Sequence, residues 1–307
     1  MKERKATMLW ILLAAVLMII VCAVLFVRSP YFTRLMFGIS DRQRDRGLTT
    51  PETVLRIDDQ RYGDDPMQVF DVYCPKGTTG ALPTIVSIHG GGYTYGDKNV
   101  YQYYCMSLAE RGFTVVNFSY RLAPRHKYPA PIEDTNALMT YVLAHAEQYH
   151  IDPNNIFFVG DSAGGQLNAQ YCTAVTNPAY AERLHLFIPV FTLRATALNC
   201  GVYDKNDITS SMQYYLANEQ DADELDLFPY ITADFPPAFV MSATGDLCLP
   251  FAKPMHDFLQ AQGVESELHI YGDENEKPPH VFHVNIKTAL AARCNDEECA
   301  FFLTHLH

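Results

Sequence analysis

Positive charge is scarce in this 307-residue chain. Lys and Arg number 23 against 35 Asp and Glu, a formal net charge of −12. A surface built to neutralise phosphates carries the opposite balance, so nucleic acid is not an expected partner. Charged residues make up only 19% of the chain against 48% hydrophobic, whereas intrinsic disorder needs the reverse. Tryptophan is nearly missing, with one copy, but 19 Tyr and 18 Phe are ample for a sizeable core. There is no internal repeat and no low-complexity tract, so a repeat architecture is not expected. The eight cysteines, at 22, 74, 105, 172, 200, 248, 294 and 299, lack the spacing of a disulfide framework; without Cys22 the count is odd. Cys294 and Cys299, followed by His305 and His307, invite a metal reading. An i, i+5 offset is poor spacing for one helix face, so no metal is expected there.

Long hydrophobic runs are absent after residue 27, but one precedes it. Met8 to Val27 is twenty residues without a charge, enough as a helix to span the roughly 30 Å hydrocarbon core of a bilayer. A cleaved signal peptide competes with this reading. Its apolar core is shorter, about 7–15 residues, and small residues mark the cleavage site. No A-x-A precedes Arg28, and bulky Val21 stands before Cys22 where a lipoprotein would carry a small residue. The expectation is a retained single-pass N-terminal transmembrane helix over 8–27, with residues 1–7 as a tail and the membrane as partner. Lys2, Arg4 and Lys5 lie before the span; Arg28, Arg34, Arg42, Arg44 and Arg46 lie after it. The positive-inside rule is therefore divided, and the short tail favours a main domain outside the cytoplasm.

Residues 28–50 are Arg-rich without a clear period and read as a juxtamembrane linker or amphipathic lead-in. From Pro51 the pattern changes. Val54 to Ile57 and Met67 to Tyr73 alternate as half-buried strands do. Thr84 to Ile88 is nearly continuous in apolar residues, as in strands covered on both faces. A helix over Asn99–Glu110, a strand over Phe113–Phe118, a helix over Ile132–Tyr149, a strand over Ile156–Val159 and a helix over Ala163–Val175 follow. LFIPVF (Leu186–Phe191) reads as the next strand. Strands at Ala238–Ala243 and Glu267–Tyr271 flank a helix at Lys253–Gln262, and a last helix begins near Asn285. Such alternation predicts one α/β domain over 51–307, with a mainly parallel central sheet flanked by helices. Thr192 to Asp234 is too long for an ordinary connection. It is expected to form a cap or lid insert, about 192–234, with a helix around Ser210–Asn218.

Gly160-Asp161-Ser162-Ala163-Gly164-Gly165 sits directly after one predicted strand and before a helix. That is the context G-x-S-x-G requires. A turn this tight strains the serine backbone and tolerates only small flanking residues. The helix that follows aims unpaired N–H groups where negative charge would develop. His89-Gly90-Gly91-Gly92 follows the strand ending at Ile88, and its glycines leave backbone N–H groups unobstructed, as in loops that supply an oxyanion-hole donor. His89 is expected to brace that loop rather than transfer protons, with Asp161 as further loop support. A nucleophilic serine needs a base, and the base an orienting carboxylate, in the chain order Ser, acid, His. Asp246 follows the strand Ala238–Ala243. Asp257 lies inside a helix, and Asp273 and Glu274 lie past the next strand. His280 occupies the loop after Glu267–Tyr271, with His283 as its rival.

HGGGY (His89–Tyr93), SYRLAP (Ser119–Pro124), GDSAGG (Gly160–Gly165), Asp246 and His280 together resemble the hormone-sensitive-lipase-like family of α/β-hydrolase carboxylesterases, over most of 51–307. The resemblance implies an α/β-hydrolase fold, catalytic Ser162, Asp246 and His280, and oxyanion donors at the N–H groups of Gly91, Gly92 and Ala163. It implies a small-molecule ester substrate with a short acyl group, and no cofactor. Tyr93, Tyr95 and the insert are expected to wall the substrate site. The chain departs from the family in three places: Arg125 stands where Glu is usual, Asp246-Leu247-Cys248-Leu249-Pro250 replaces D-P-L-R-D, and Val281 replaces the Gly of H-G-F. A ligand-binding protein without turnover, an amidase or peptidase, and a partner-recruiting module at the membrane are the competing functions on the same fold.

Overall fold

The computed structural model describes residues 29–205 and 214–307, together with Trp10, residues 16–18 and Val21. The expected anchor over 8–27 lies mostly outside the described residues, as do residues 210–213 of the helix expected around Ser210–Asn218; its described part, 214–218, forms no α-helix. Among the described residues no helix is long and apolar enough to cross a membrane. The chain divides into two units, Met1–Arg44 and Asp45–His307.

The described end of the first unit is helical rather than an irregular linker. Helix α1 (Pro30–Asp45) has Pro in its first position and Arg42 and Arg44 in its last turn. Proline is pre-set for a first helical residue, and cations favour a carbonyl-rich helix end. Ser29 Oγ accepts from the N–H of Phe32 at 3.4 Å.

In the second unit, eight strands form one sheet in the order β1-β2-β4-β3-β5-β6-β7-β8. These are β1 (Val54–Arg61), β2 (Val69–Pro75), β3 (Leu82–Ile88), β4 (Thr114–Phe118), β5 (Ile151–Asp161), β6 (Leu193–Asn199), β7 (Ala238–Ala243) and β8 (Ser266–Tyr271). β1 and β2 pair antiparallel, as do β2 and β4; every other pairing is parallel. Helices α2 (Lys98–Ala109), α3 (Ala130–Ala144), α4 (Ala163–Thr176), α5 (Pro178–Arg183), α6 (Glu219–Leu225), α7 (Leu249–Ala261) and α8 (Ala289–Thr304) complete the described elements of this unit, with a 3-10 turn at Phe282–Val284. Alternate residues of β5 explain the two layers. Ile156 and Phe158 pack with α3, α4 and α7, while Phe157 and Val159 face the opposite side with α2 and α8. Each face of a central strand is thus a separate apolar core.

One expected strand is corrected. LFIPVF is irregular, and Phe187 and Val190 are 89% and 97% exposed. Pro189 lacks the N–H a central ladder needs. The strand beside β5 is instead Leu193–Asn199, whose polar residues find buried partners: Thr196 Oγ donates to Asn168 Oδ1 at 3.0 Å. The expected insert therefore loses its first residues to the sheet, and the excursion from it runs from residue 200 to 237. Its described part carries α6, capped by Asn218. The excursion packs on the domain body through buried Tyr215, Leu225, Leu227, Ile231 and Phe235.

Candidate active site

The carboxyl ends of the central strands deliver the site. β5 runs through Asp161, and α4 begins at Ala163, so Ser162 alone makes the turn, at φ 54° and ψ −121°. A non-glycine residue there costs about 1–3 kcal/mol and persists only where its surroundings over-determine it. Two contacts do so. The N–H of Ser162 donates to the carbonyl of Asn199 at the end of β6, at 2.9 Å. A Cβ on Gly164 would collide with the carbonyl oxygens of Ile88 and His89. Only glycine lets α4 start against the end of β3, and that approach brings the glycine loop beside the serine.

His280 enters from the loop after β8. Its Nε2 lies 2.9 Å from Ser162 Oγ, and its Nδ1 lies 2.6 Å from Asp246 Oδ1. The carboxylate beside Nδ1 places the ring proton there and leaves Nε2 as acceptor for the serine hydroxyl. A parallel bridge between Gly245 and Pro279 ties the acid loop to the histidine loop. Asp246 follows β7, and its side chain is fully buried. Its carboxylate also accepts from Ser242 Oγ and from the N–H of Cys248, both at 2.8 Å. Burial opposes the charge, yet bonds from His280, the Cys200 thiol and the Cys248 N–H hold the carboxyl below its ordinary range. An acid ionised at neutral pH, an imidazole and a hydroxyl in line are the arrangement that moves a proton off a serine.

The other candidates fall elsewhere. His283 is fully buried on the 3-10 turn, edge-on to Tyr104. Asp257 pairs with Lys253 on the exposed side of α7, and Asp273 accepts the N–H groups of Asn275 and Glu276 in its own turn. His305 donates its Nδ1–H to Phe301 O at the end of α8. Among the described residues, the side chains of metal-ligand type that converge are Cys200, Asp246 and His280, with ligand atoms within 4.8 Å of one another; Asp246 and His280 already satisfy each other.

Among the described residues, no hydrogen bond uses the N–H of Gly91, Gly92 or Ala163 as donor. Ala163 opens α4, where N–H groups are unpaired by construction. Gly91 at φ 120° has a backbone that side chains rarely adopt, and a Cβ there would strike the carbonyl of Tyr95. Several side chains brace the glycine loop. His89 stacks on Tyr120 at 4.1 Å, and its Nδ1 reaches Gly90 O at 2.8 Å. Burial lowers the His89 pKa to about 4, so the ring is neutral and donates from Nδ1. Tyr101 OH donates to Asp161 Oδ2 at 2.6 Å and accepts from the N–H of Gly90 at 3.1 Å, tying the glycine loop to the residue before Ser162. The SYRLAP segment is a strut: Tyr120 OH donates to His89 O, the Ala123 N–H to Tyr93 O, and Arg121 pairs with buried Asp134. Tyr93 is 2% exposed, stacks on Tyr215 at 3.9 Å and donates its hydroxyl to Gln166. Tyr95 is half-buried. Tyr101, Asn199 and Cys200 are the supports that sequence reading missed, because nothing in their local pattern marks them.

Comparison with known proteins agrees with this geometry. A family described as alpha/beta hydrolase fold matches residues 85–284. The chain belongs to the alpha/beta hydrolase fold family. Among relatives of this alpha/beta hydrolase, the carboxylesterase NlhH of Mycobacterium tuberculosis is 31% identical over 251 residues, covering 74% of this chain and 77% of that one. An acetyl esterase of Salmonella paratyphi B is 30% identical over 230 residues, 68% of each chain. Among solved structures, esterase B from Lactobacillus rhamnosis superposes with a TM-score of 0.84 at 24% identity, covering 91% of this chain and 94% of that one. A bacterial heroin esterase superposes with a TM-score of 0.66 at 24% identity over 89% and 91% of the two chains. At these identities the structures speak for the fold alone.

Proposed function

We propose that this alpha/beta hydrolase is a serine carboxylesterase acting on carboxylic esters of short acyl chain through an acyl-serine intermediate. The observation that carries the reading is the unbroken line from Ser162 Oγ through both ring nitrogens of His280 to Asp246. Relatives named carboxylesterase and acetyl esterase support the substrate class. As Ser162 Oγ attacks the ester carbonyl, its proton passes to His280 Nε2, and Asp246 stabilises the imidazolium that results. The carbonyl oxygen gains negative charge opposite the N–H groups of Gly91, Gly92 and Ala163; losing one such donor typically costs on the order of 10²–10³ in rate. His280 returns the proton to the departing alcohol. Water, deprotonated by the same nitrogen, then releases the acid and restores the serine. The excursion after β6 serves as a cap that walls the substrate site. Residues 8–27 anchor the protein in a membrane, with the hydrolase domain outside the cytoplasm.

A fluorophosphonate probe and a p-nitrophenyl ester panel of rising acyl length test this. The expected result is labelling lost in Ser162→Ala and turnover that falls as the acyl chain lengthens. Folded protein that neither labels nor hydrolyses acetyl esters is a binder, and a matched anilide cleaved faster than its ester makes it an amidase.

A further inference from the structure

One polar side chain touches this site without a part in the steps above. Cys200 follows β6 directly, is 1% exposed, and donates its N–H to Met241 O on β7 at 2.8 Å. Its backbone has φ 53°, a left-handed turn that is uncommon for a residue with a side chain. That turn sends the thiol to the edge of the site, where its S–H has Met241 Sδ as hydrogen-bond partner at 4.0 Å and the Asp246 carboxylate and the Val281 N–H as polar neighbours. Sγ, a carboxylate oxygen of Asp246 and a ring nitrogen of His280 lie within 4.8 Å of one another. A single sulfur therefore lies beside the acid, the base and the peptide that follows the base. Burial pushes the thiol well above its ordinary range, so it stays S–H and remains a donor at neutral pH.

The far end of this contact is itself strained. Val281 has φ 54° and ψ 34°. A β-branched residue crowds the backbone in that region, where glycine is at ease. His280 immediately precedes it, so any relaxation of Val281 swings the imidazole. Strained residues at Ser162, Cys200 and Val281 thus meet at one place, and such conformations persist only when neighbours hold them.

We infer that Cys200 is a positioning residue: its thiol clamps Asp246 and the strained His280–Val281 peptide in one register, so that the imidazole keeps both of its hydrogen bonds. The inference rests on Ser162, Asp246 and His280 being the reacting centre. It makes Cys200 and Val281 an interdependent pair, because the clamp matters most where the backbone resists.

The test uses Cys200→Ala, Cys200→Val and Cys200→Ser in the full chain, each alone and combined with Val281→Gly. Two rates are read: kcat and KM on p-nitrophenyl acetate, and the rate of fluorophosphonate capture by Ser162. The alanine and valine variants should lose about tenfold in kcat with KM held within about twofold, since a misplaced base weakens the transition state and not ground-state binding. The serine variant, which keeps a donor and an acceptor, should stay within about threefold of wild type. On the Val281→Gly background the alanine and valine penalties should shrink to about twofold, the signature of coupled sites. If the void left by Cys200→Ala prevents folding, Cys200→Val fills the space and carries the comparison. Losses equal on the two backgrounds, an unchanged kcat, or a rise in KM alone would each overturn the inference. A wild type that neither turns over esters nor labels sinks the esterase reading along with it, whereas an active wild type with indifferent variants sinks only the role of Cys200.

Discussion

Glu298 has no exposure, yet it is a carboxylic acid in the middle of α8. Its Oε2 accepts from Asn199 Nδ2 at 2.6 Å and its Oε1 from Tyr104 OH at 3.0 Å. The same Asn199 receives the N–H of Ser162 on its carbonyl, so the acid stands two hydrogen bonds behind Ser162. Burial pushes the Glu298 pKa up from 4.5 to about 7, against the pull of those two donors. The folded protein keeps this proton up to about pH 7, while the unfolded chain releases it near 4.5. Between those values the folded state binds more protons, so stability falls as pH rises through that window and levels off above it. Urea unfolding at pH 5 and pH 8 should show wild type losing stability relative to Glu298→Gln, and parallel behaviour of the two proteins refutes it. The contrast with the triad is instructive. Ser162 was legible because its glycines announce the turn, and Asp246 and His280 because chain order and strand ends narrow the choice. Asn199, Cys200, Tyr101 and Glu298 act through partners tens to hundreds of positions away, and no local spacing signals that.

At the scale of elements, the close start of α4 against β3 decides whether serine and glycine loop share a site. The approach has no room for a methyl group, because a Cβ on Gly164 meets two backbone carbonyl oxygens rather than a pliable side chain. Gly164→Ala should therefore cost about 1–3 kcal/mol from overpacking and abolish most fluorophosphonate labelling by moving Ala163 and Ser162 together. Denaturant unfolding and labelling measure the two effects separately. A variant of native stability and reactivity rules out this contact as the fixed point. The strands show where element-level reading succeeds and fails. AFVMSA was found to the residue because all six positions are buried, on an apolar run between turn signals. Leu193–Asn199 looks less like a strand than the more apolar LFIPVF, since Arg194, Thr196 and Asn199 make it polar. Asn168 and Glu298 satisfy Thr196 Oγ and Asn199 Nδ2 across the fold, and a satisfied polar group is compatible with a core strand.

At the scale of the molecule, the two units differ in kind. Asp45–His307 holds the whole sheet, both apolar cores and every residue of the proposed reaction. Met1–Arg44 holds the uncharged stretch over 8–27 and a helix that exposes Tyr31, Leu35, Met36, Phe37 and Ile39. A unit with its own core folds without its neighbour, and twenty apolar residues partition into a bilayer rather than remain in water. Removing residues 1–44 should therefore leave a protein that unfolds in one cooperative transition and still labels at Ser162, while moving it from the membrane fraction to the soluble one. Fractionation, thermal unfolding and fluorophosphonate labelling of the two forms check the three parts independently. A truncated protein that is folded but unlabelled shows that the first unit completes the site. Full-length protein that is soluble without detergent overturns the anchor and leaves the hydrolase chemistry untouched, because that chemistry draws on no residue before His89.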